Sequence, residues 1–420
     1  MLASPDRIDE IFRNGEAVHT VSRIMSYLHT VGFPLCFVFG LYDQFTSYDR
    51  RDITILIRGT KPESDTYALL SELAADDTDR TLYVFSPMGI DDTQLTLWDD
   101  SDVTTKSAEV HTLTFFRALA QSEIVLCKSN PFLKWYRLLD RSDRRYVRLY
   151  HGPITKAYGT TRTGSEPSLF GDSVPLPDTA PKYRAVESVV EKYFRASAEG
   201  SHPSRYTMWG YPRFDRIQRL VAGEANPVLP EDSEAVLEER DYTDILYAPT
   251  HKDGAYKTSF LPFEDADSER LRDWCHEHDV RLFLRPHPKE NVEYDHLVDD
   301  QRIFSADQTF ANSATELMPY LDGLITDYSS IYIAFLPYDC PIIFVKDDHE
   351  RFLSVRGLAF DYERYFPGPK PETFDAFLAE LLAITNGHDE FANERSFVRN
   401  TFVPRRETTF LEAILHECDS

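Results

Sequence analysis

Short runs of β-branched and aromatic residues alternate along the chain with longer segments of mixed polarity. Apolar runs of this kind, bounded by polar segments, are typical of strands buried in a parallel sheet, and the longer segments between them are typical of helices. The pattern therefore predicts an α/β chain in which helices separate parallel strands. The runs are ITILIRG (53–59), TLYVFSP (81–87), EIVLCKS (123–129) and YVRLYHG (146–152) in the first half, and DILYAPT (244–250), RLFLRPHP (281–288), DGLITDYSS (322–330) and PIIFVKDD (341–348) in the second half.

The segment 221–241 separates the two sets of runs. It is acidic, contains prolines and has no strand pattern, so we interpret it as a linker region. The stretch 164–181 is rich in Gly, Pro and Ser and is interpreted as a long loop inside the first domain. A chain of 420 residues is too long for one ordinary core, which also favours two domains.

Composition narrows the choice of partners. Hydrophobic residues make up 42% of the chain, which is enough to bury two cores. The formal net charge is −25, and a field of that sign repels polyanions, so we expect no nucleic-acid partner. An anionic substrate would therefore need a local cluster of cations.

The cysteines and the apolar segments favour a cytoplasmic protein. The five cysteines are scattered and odd in number, as expected for reduced thiols. No basic and then apolar leader opens the sequence, and the apolar stretch 31–42 is too short to span a bilayer. We expect that stretch to be a buried strand or helix, and an interfacial anchor is the alternative.

The residues that directly follow the predicted strands are the first candidates for chemistry. In open parallel sheets, ligands bind at the carboxyl ends of the strands. Four of the runs end in reactive or hydrogen-bonding side chains. They are His151 and Gly152 after one run, Thr250, His251, Lys252 and Asp253 after another, Arg285 and His287 at a third, and Asp327, Ser329 and Ser330 at the fourth.

The run that ends at Asp327 leads into a helical pattern, IYIAFL. Ser329 or Ser330 is a suitable N-cap for that helix. A helix N-terminus with two hydroxyls attracts phosphate, because its unpaired N–H groups and its dipole both favour an anion. The alternative is a capping pair without a ligand.

Two histidines, His151 and His287, each end a predicted strand, one in each half of the chain. If two Rossmann-like domains oppose their carboxyl edges, these rings face each other, and one can take a proton while the other donates one. Gly152 would let a substrate approach the backbone closely. Arg285, beside His287, implies a structural ion pair or an anionic ligand. Arg213, in the segment GYPRFDRI, belongs either to a solvated ion pair or to an anion site.

Other motifs are weaker. The chain has no G-x-x-x-x-G-K-[ST] loop and no G-x-G-x-x-G fingerprint, which argues against a P-loop NTPase and an ordinary dinucleotide enzyme. CHEH (275–278) fits a solvated helix face better than a zinc site, and the aspartate groups at 76–79 and 99–102 fit surface charge. We therefore predict no metal site and no required cofactor, and dependence on a divalent metal stays open.

Six motifs in order resemble the CDP-glycerol glycerophosphotransferase family, the teichoic-acid primases and polymerases. They are YHGPITKAYG, GYPRFD, ILYAPTHKDG, LRPHP, LITDYSSIYIAF and PIIFV. The resemblance implies a GT-B architecture, two Rossmann-like domains with the active site between them. We expect an acceptor-side domain at 1–220, the linker region at 221–241 and a CDP-donor-binding domain at 242–385. The segment 386–420 is expected to be helical, and packing against the first domain is one arrangement for it.

The resemblance also implies a reaction. The catalytic histidines of the family correspond here to His151 and His287. A polyol phosphate would pass from a CDP-polyol donor to a hydroxyl of a lipid-linked or polymeric acceptor, with His151 as general base and CMP as leaving group. His287 and Arg285 would neutralise or protonate the departing phosphate. The expected substrate-binding residues are Gly152, Lys156, Arg213, Thr250, Lys252, Arg285, Asp327, Ser329 and Ser330, and the last three belong to the motif expected on the donor phosphates.

The chain departs from the family pattern at three places. Pro-Ile-Thr at 153–155 stands where the family usually has Thr-Pro-Leu, and Lys156 alone keeps its offset. His251 and Lys252 stand where the family often has Trp-Arg. Ala334 stands where the family commonly has an aspartate, so the donor polyol stays open.

The sequence says least about the acceptor side of the predicted site. The first 145 residues do not visibly match the family, so the acceptor, the choice between primase and polymerase, and the oligomeric state stay open. Peripheral contact with the inner face of the cell membrane is one arrangement. A GT-B nucleotide-sugar glycosyltransferase or epimerase, and a non-catalytic nucleotide-binding relative, are the alternative functions. Two strand-end histidines argue against the last of these.

Overall fold

The computed structural model contains two parallel sheets with helices between their strands. The residues described are 39, 43, 50–57, 64–75, 80–86, 105–109, 113–128, 144–162, 183–250, 259–287, 294–346 and 348–416. Several predicted features lie outside them, namely the loop at 164–181, the aspartate groups at 76–79 and 99–102, residues 251–253, and the apolar stretch 31–42 apart from Phe39.

The first sheet has, within the described residues, seven parallel strands in the order β3-β2-β1-β4-β5-β6-β7. The chain winds outward from β1 to β3 and then returns to the other side of β1 with β4. This reversal is the switch point of a doubly wound sheet. The strands are β1 (Asp52–Leu56), β2 (Leu82–Ser86), β3 (Thr105–Glu109), β4 (Ser122–Cys127), β5 (Arg145–Arg148), β6 (Tyr183–Ala185) and β7 (Tyr206–Thr207).

The second sheet repeats the same winding. Its strands in the described part of the chain are five, all parallel, in the order β10-β9-β8-β11-β12, so that β8 and β11 flank its switch point. They are β8 (Thr243–Tyr247), β9 (Val280–Leu284), β10 (Ile303–Ser305), β11 (Gly323–Thr326) and β12 (Ile342–Phe344).

Helices connect the strands and cover the faces of both sheets. Among the helices that the structure describes, none combines the length and the apolar character needed to cross a membrane. The described helices are α1 (Ser64–Ala75), α2 (Leu113–Gln121), α3 (Val189–Ala198), α4 (Pro212–Val221), α5 (Glu231–Glu238), α6 (Ser268–Glu277), α7 (Ala314–Leu317), α8 (Ile331–Phe335), α9 (His349–Val355), α10 (Tyr362–Tyr365), α11 (Phe374–Thr385), α12 (Ala392–Phe402) and α13 (Phe410–His416).

The strand predictions are confirmed, because each of the eight apolar runs overlaps a strand of the structure. Four strands were not predicted: β3, β6, β7 and β10. Three of these have only two or three residues, too few to show a periodic pattern. The acidic segment 221–241 contains the short helix α5.

The apolar core is continuous between the two sheets. One buried cluster extends from Ile53 on β1 to Phe344 on β12. A second cluster packs β9 against α6 and α11 and includes Leu282, Leu271 and Phe377. Both sheets are therefore buried structures rather than exposed ones, as expected for parallel strands.

The last two described helices contact the first half of the chain. Helix α12 contacts α3, and α13 contacts α4. Between these helices, Arg406 Nη2 lies 2.7 Å from Asp215 Oδ1, and Arg406 Nε lies 3.1 Å from Glu187 Oε1. The Phe410 N–H donates to Asp215 Oδ2 at 2.8 Å. The domain boundaries expected at 220, 241 and 385 stay a prediction.

Candidate active site

Residues 149–162 follow β5 and are called the His151 loop here; the backbone is held on both sides of the exposed His151 ring. Arg195 donates from Nη2 to the Gly152 carbonyl at 2.7 Å, and its guanidinium carbon lies 3.6 Å from the centroid of the Tyr150 ring. Arg195 is buried and ion-paired to Glu191 at 2.6 Å. One guanidinium thus fixes the residue before His151 and the residue after it.

Helix α3 carries Arg195, and its start explains where Arg195 is placed. Ser188 is the N-cap, and its hydroxyl accepts the Glu191 N–H at 3.3 Å. Glu191 returns a carboxylate oxygen to the Glu187 N–H at 2.8 Å. This exchange resembles a capping box, which fixes the first turn of a helix. Glu191 then holds Arg195 one turn later, at the i,i+4 spacing.

Glu199, at the C-terminal end of α3, binds two tyrosines of the His151 loop. It accepts hydrogen bonds from the hydroxyls of Tyr150 at 2.9 Å, Tyr158 at 3.0 Å and Tyr206 at 2.8 Å. Burial alone would raise the pKa of Glu199, but Arg148, Arg184 and the hydrogen bonds from Tyr206 and Tyr150 lower it. Glu199 therefore stays a carboxylate at neutral pH and holds both ends of the segment 150–158.

Arg213 lies against Gly152. A Cβ at Gly152 would come within 3.2 Å of Arg213 Nη1, and Gly152 has a φ of +137°, a conformation that other residues rarely adopt. Arg213 donates to Asp65 from Nε at 2.8 Å and from Nη2 at 2.7 Å, and Lys128 Nζ lies 2.7 Å from the same carboxylate. Burial would raise the pKa of Asp65, but Arg213 and Lys128 hold it well below its usual range. A buried carboxylate thus fixes two cations, one of them beside the His151 loop.

Asp327 organises the corresponding place in the second sheet. It lies directly after β11 and is buried, and its Oδ1 accepts the N–H of Thr250 at 2.8 Å and of Tyr328 at 2.6 Å. Thr250 follows β8, the neighbouring strand across the switch point. The structure therefore brings Thr250 and Asp327 together.

The two serines after Asp327 share the start of α8. Ser330 occupies the N-cap position without a side-chain capping bond, and Ser329 Oγ accepts the Ile331 N–H at 3.4 Å. Both serines are half-buried. Helix α8 has only five residues and continues as a 3-10 turn over Leu336–Tyr338. We call residues 327–330 the phosphate turn, after the role predicted for them.

Arg285 and His287 follow β9, as predicted, and both are half-buried. The Arg285 guanidinium donates to three backbone carbonyls, those of Ala306 at 2.8 Å, Asp307 at 3.1 Å and Ala311 at 2.9 Å. Burial lowers the pKa of Arg285 to about 10, although Asp307 raises it. Arg285 therefore remains charged at neutral pH and fastens the loop 306–311 to the end of β9.

The His151 loop and the phosphate turn are in direct contact. The Thr155 hydroxyl donates to the Tyr328 carbonyl at 3.2 Å. The segment that follows α9 also binds this loop, because Ala359 N–H donates to the Thr155 carbonyl at 2.8 Å and Ala157 N–H donates to the Gly357 carbonyl at 3.1 Å. Lys156 forms an antiparallel bridge with Leu358 between these bonds. The predicted acceptor-side and donor-side residues thus share one region.

The structure joins the predicted residues in pairs and adds new ones. It pairs Gly152 with Arg213 and Thr250 with Asp327, whereas a direct approach of His151 to His287 stays a prediction. Sequence reasoning missed Arg195, Glu199, Asp65 and Lys128. The Ser-x-x-Glu pattern at 188–191 would have marked the start of α3. Among the residues described, no three His, Cys, Asp or Glu side chains are grouped as a metal site would require.

Comparison with known proteins gives one family and one fold. The sequence profile of the family "CDP-Glycerol:Poly(glycerophosphate) glycerophosphotransferase" matches residues 46–415. The teichoic acid ribitol-phosphate polymerase TarK of Staphylococcus aureus is 26% identical over 251 residues, which are 59% of this chain and 47% of that protein. A teichoic acid poly(glycerol phosphate) polymerase of Bacillus spizizenii is 30% identical over 196 residues, 45% of this chain and 47% of that protein.

A solved structure of the wall teichoic acid polymerase TagF matches with a TM-score of 0.64 and 15% identity, covering 96% of each chain. This likeness confirms the predicted GT-B architecture. The chain spans about half of the length of the two curated relatives. Because the family profile covers most of the sequence, from the first described strand to the last described helix, the resemblance of the six motifs is confirmed, and the chain belongs to the CDP-glycerol:poly(glycerophosphate) glycerophosphotransferase family.

Proposed function

We propose that this chain transfers a polyol phosphate from a CDP-polyol to a hydroxyl of a polymeric or lipid-linked acceptor and releases CMP. The observation that carries the proposal is the hydrogen bond from Thr155 to the Tyr328 carbonyl, 3.2 Å long, which joins the His151 loop to the phosphate turn. A base on one element and a phosphate-binding turn on the other are the two parts that phosphoryl transfer needs in one place.

His151 is the proposed general base. It takes the proton of the acceptor hydroxyl, whose oxygen attacks the phosphorus that carries the polyol, and the bond from that phosphorus to the bridging oxygen of CMP breaks. Its ring is exposed, so a substrate can reach it, while Arg195 holds Tyr150 and Gly152 on either side. The base is thus accessible on a backbone that does not need to be ordered during the reaction.

The donor phosphates are proposed to bind at the phosphate turn. The half-buried hydroxyls of Ser329 and Ser330 lie at its end, and Asp327 fixes the turn to Thr250. His287, Lys156 and Lys252 are proposed to contact the phosphates as well. Arg285 keeps its positive charge for the departing CMP, but its three carbonyl contacts favour a second task, which is to hold the loop 306–311.

The acceptor is proposed to enter beside Gly152. Arg213 is oriented there by Asp65, and a fixed guanidinium is well suited to a phosphate group of an acceptor chain. The relatives named above are polymerases of ribitol phosphate and glycerol phosphate, which leaves the polyol open between these two. We place the reaction in the cytoplasm at the inner face of the membrane, with residues 1–220 on the acceptor side and 242–385 on the donor side.

Donor binding tests the proposal directly. CDP-glycerol, CDP-ribitol and a UDP-sugar are titrated into the purified protein by calorimetry, and CMP release is then followed with a polyol phosphate acceptor. We expect one CDP-polyol to bind and its CMP release to fall at least about a hundredfold in His151→Ala and in His287→Ala. His388→Ala, at an exposed histidine after α11, is the matched control and should keep full activity.

The opposite outcome is equally definite. Binding of the UDP-sugar alone, with UDP as product, would contradict the proposal and favour a nucleotide-sugar glycosyltransferase or epimerase. Binding of a CDP-polyol without any CMP release would favour a non-catalytic relative.

A further inference from the structure

Tyr328, the second residue of the phosphate turn, is held at both of its ends. Its backbone carbonyl accepts the Thr155 hydroxyl at 3.2 Å, and its own hydroxyl lies 3.0 Å from Nδ1 of His349. Its ring is fully buried and stacks on Phe352 with a centroid distance of 3.9 Å and an interplanar angle of 14°. The side chain of Tyr328 therefore has one defined position.

Two partners of the Tyr328 side chain, His349 and Phe352, belong to one segment, residues 349–359, which we call the strap. Helix α9 opens the strap and carries His349 and Phe352. The strap then runs along the His151 loop, where Arg162 donates from Nη2 to the Val355 carbonyl at 2.6 Å and Ala359 N–H donates to the Thr155 carbonyl at 2.8 Å. One continuous segment thus binds the phosphate turn through its first residues and the His151 loop through its last.

We propose that Thr155 and His349 are positioning residues of the transfer reaction, which fix Tyr328 and with it the phosphate turn relative to the His151 loop. Neither residue needs to touch a substrate for this role. Thr155 controls the distance between the turn and the loop, because its hydroxyl spans them directly. His349 controls the orientation of the turn, because it fixes the far end of the Tyr328 side chain. The inference rests on the proposed function for its kinetic consequences.

The surroundings of His349 support this role. The ring is half-buried and also contacts the Tyr362 ring, with centroids 4.9 Å apart. Burial and the neighbouring Lys346 lower the pKa of His349, against the opposing effect of Glu363 and Glu350. In the neutral ring with its proton on Nε2, Nδ1 carries a lone pair and can accept a hydrogen bond from the Tyr328 hydroxyl.

Paired substitutions separate positioning from folding. Thr155→Val removes the hydroxyl at constant shape, and Thr155→Ser restores it. His349→Phe removes the acceptor and keeps a ring, and His349→Asn offers an oxygen in place of Nδ1. Each variant is measured for CDP-polyol affinity by calorimetry, for the kcat of CMP release and for its melting temperature.

We expect the two sites to give different signatures. Thr155→Val should lower kcat about three- to tenfold with donor affinity within about twofold of the wild type, and His349→Phe should weaken donor affinity about three- to tenfold, as expected for the loss of one hydrogen bond. Thr155→Ser and His349→Asn should recover most of each loss. Tyr328→Phe combined with His349→Phe should be no worse than either change alone, because both remove the same bond.

If the wild type turns over and Thr155→Val and His349→Phe keep the kcat and the donor affinity of the wild type, this inference is wrong and the proposed function still stands. Losses that merely follow the melting temperature and that the conservative variants do not recover would overturn it too. A wild-type protein that neither binds a CDP-polyol nor releases CMP would overturn the proposed function, and this inference with it.

Discussion

The switch points of the two sheets have the same topology but are built from different groups. In the first sheet, the buried carboxylate of Asp65, at the start of the helix that follows β1, pairs with Lys128, directly after β4, and with Arg213. In the second, the place between β8 and β11 is occupied by Asp327, which accepts two backbone N–H groups. The side-chain contacts described for Asp65 are with full charges, whereas the contacts described for Asp327 are with backbone N–H groups.

This difference has an energetic consequence. Buried full charges depend strongly on one another, because removing one leaves the others unpaired in a poor solvent for ions. A carboxylate on backbone N–H groups loses less when it is neutralised, because its donors carry no net charge. The first switch point should therefore be the more fragile of the two, and the second the more tolerant.

Asp65→Asn should give the largest effect. It leaves Arg213 and Lys128 together without a carboxylate between them, and we expect the free energy of unfolding to fall by about 3–5 kcal/mol. Urea unfolding followed by tryptophan fluorescence measures this. Asp375→Asn is the control, because the Arg270–Asp375 pair is more than half exposed on both sides and should be worth less than about 1 kcal/mol. Equal losses of stability in Asp65→Asn and Asp375→Asn would show that burial does not make the Asp65 ion pairs more important than an exposed pair.

Gly152→Ala should be the next most severe change. The added Cβ meets Arg213, and the alanine must keep a backbone φ of +137°. This conformation costs about 1–3 kcal/mol and shifts the His151 backbone. The kcat of CMP release should fall about tenfold or more. Gly223→Ala is the matched control, because Gly223 also has a positive φ, +70°, but no atom lies within 4 Å of the added Cβ. Full activity in Gly152→Ala would show that the His151 loop tolerates displacement.

Asp327→Asn should be milder, since the amide oxygen can still accept both N–H groups. We expect a loss of about 1–2 kcal/mol and a donor affinity weakened about three- to tenfold. Asp322→Asn is the control at the other end of β11, where Asp322 accepts the Asp244 N–H at 2.8 Å. That variant should lose similar stability and keep its donor affinity. Calorimetry measures the donor affinity of both variants. An equal loss of affinity in the two would show that Asp327 does not contribute to donor binding.

The last prediction concerns pH and the two carboxylates that bind Arg406. Burial raises the pKa of Glu187 to about 8 and of Asp215 to about 6, although Arg406 lowers both. Raised carboxylate pKa values stabilise the fold at low pH, and this contribution is lost as the pH rises from the unfolded values near 4 to about 8. We expect the melting temperature to fall as the pH rises through that range.

Glu187→Gln tests the pH effect. The variant should show a flatter dependence of melting temperature on pH than the wild type, because the amide does not titrate. Asp65 provides the contrast, since its lowered pKa keeps it charged over the same range. An unchanged slope in Glu187→Gln would assign the effect to other groups.

Much of the fold could be predicted because its buried strands show as short apolar runs in the sequence. The buried strands such as β1 and β9 are short apolar runs, and the pattern marks them without any tertiary information. The strand TKSAE of β3 and the two-residue β7 carry no such signal, because their pairing depends on the neighbouring strands.

Residues of the candidate site could be named from the sequence where they directly follow an apolar run, and not where their position depends on partners far away in the sequence. His151 and Asp327 follow apolar runs and were identified for that reason. Asp65 was not, because nothing in the sequence distinguishes it among 70 acidic residues until Arg213 and Lys128 are seen beside it. Arg195 was missed for the same reason, since its partners Tyr150 and Gly152 lie about 45 positions away.

The contact of Arg406 with Asp215 has a consequence for the timing of folding during synthesis. The two residues are 191 positions apart, and at translation rates of about 5–20 residues per second the ribosome needs roughly 10–40 s to pass from one to the other. Until then, the carboxylates of Glu187 and Asp215 lack the cation that pairs with them in the finished fold. The nascent first half would spend that interval with these groups protonated or hydrated, and it would complete its packing only after the second half had been made.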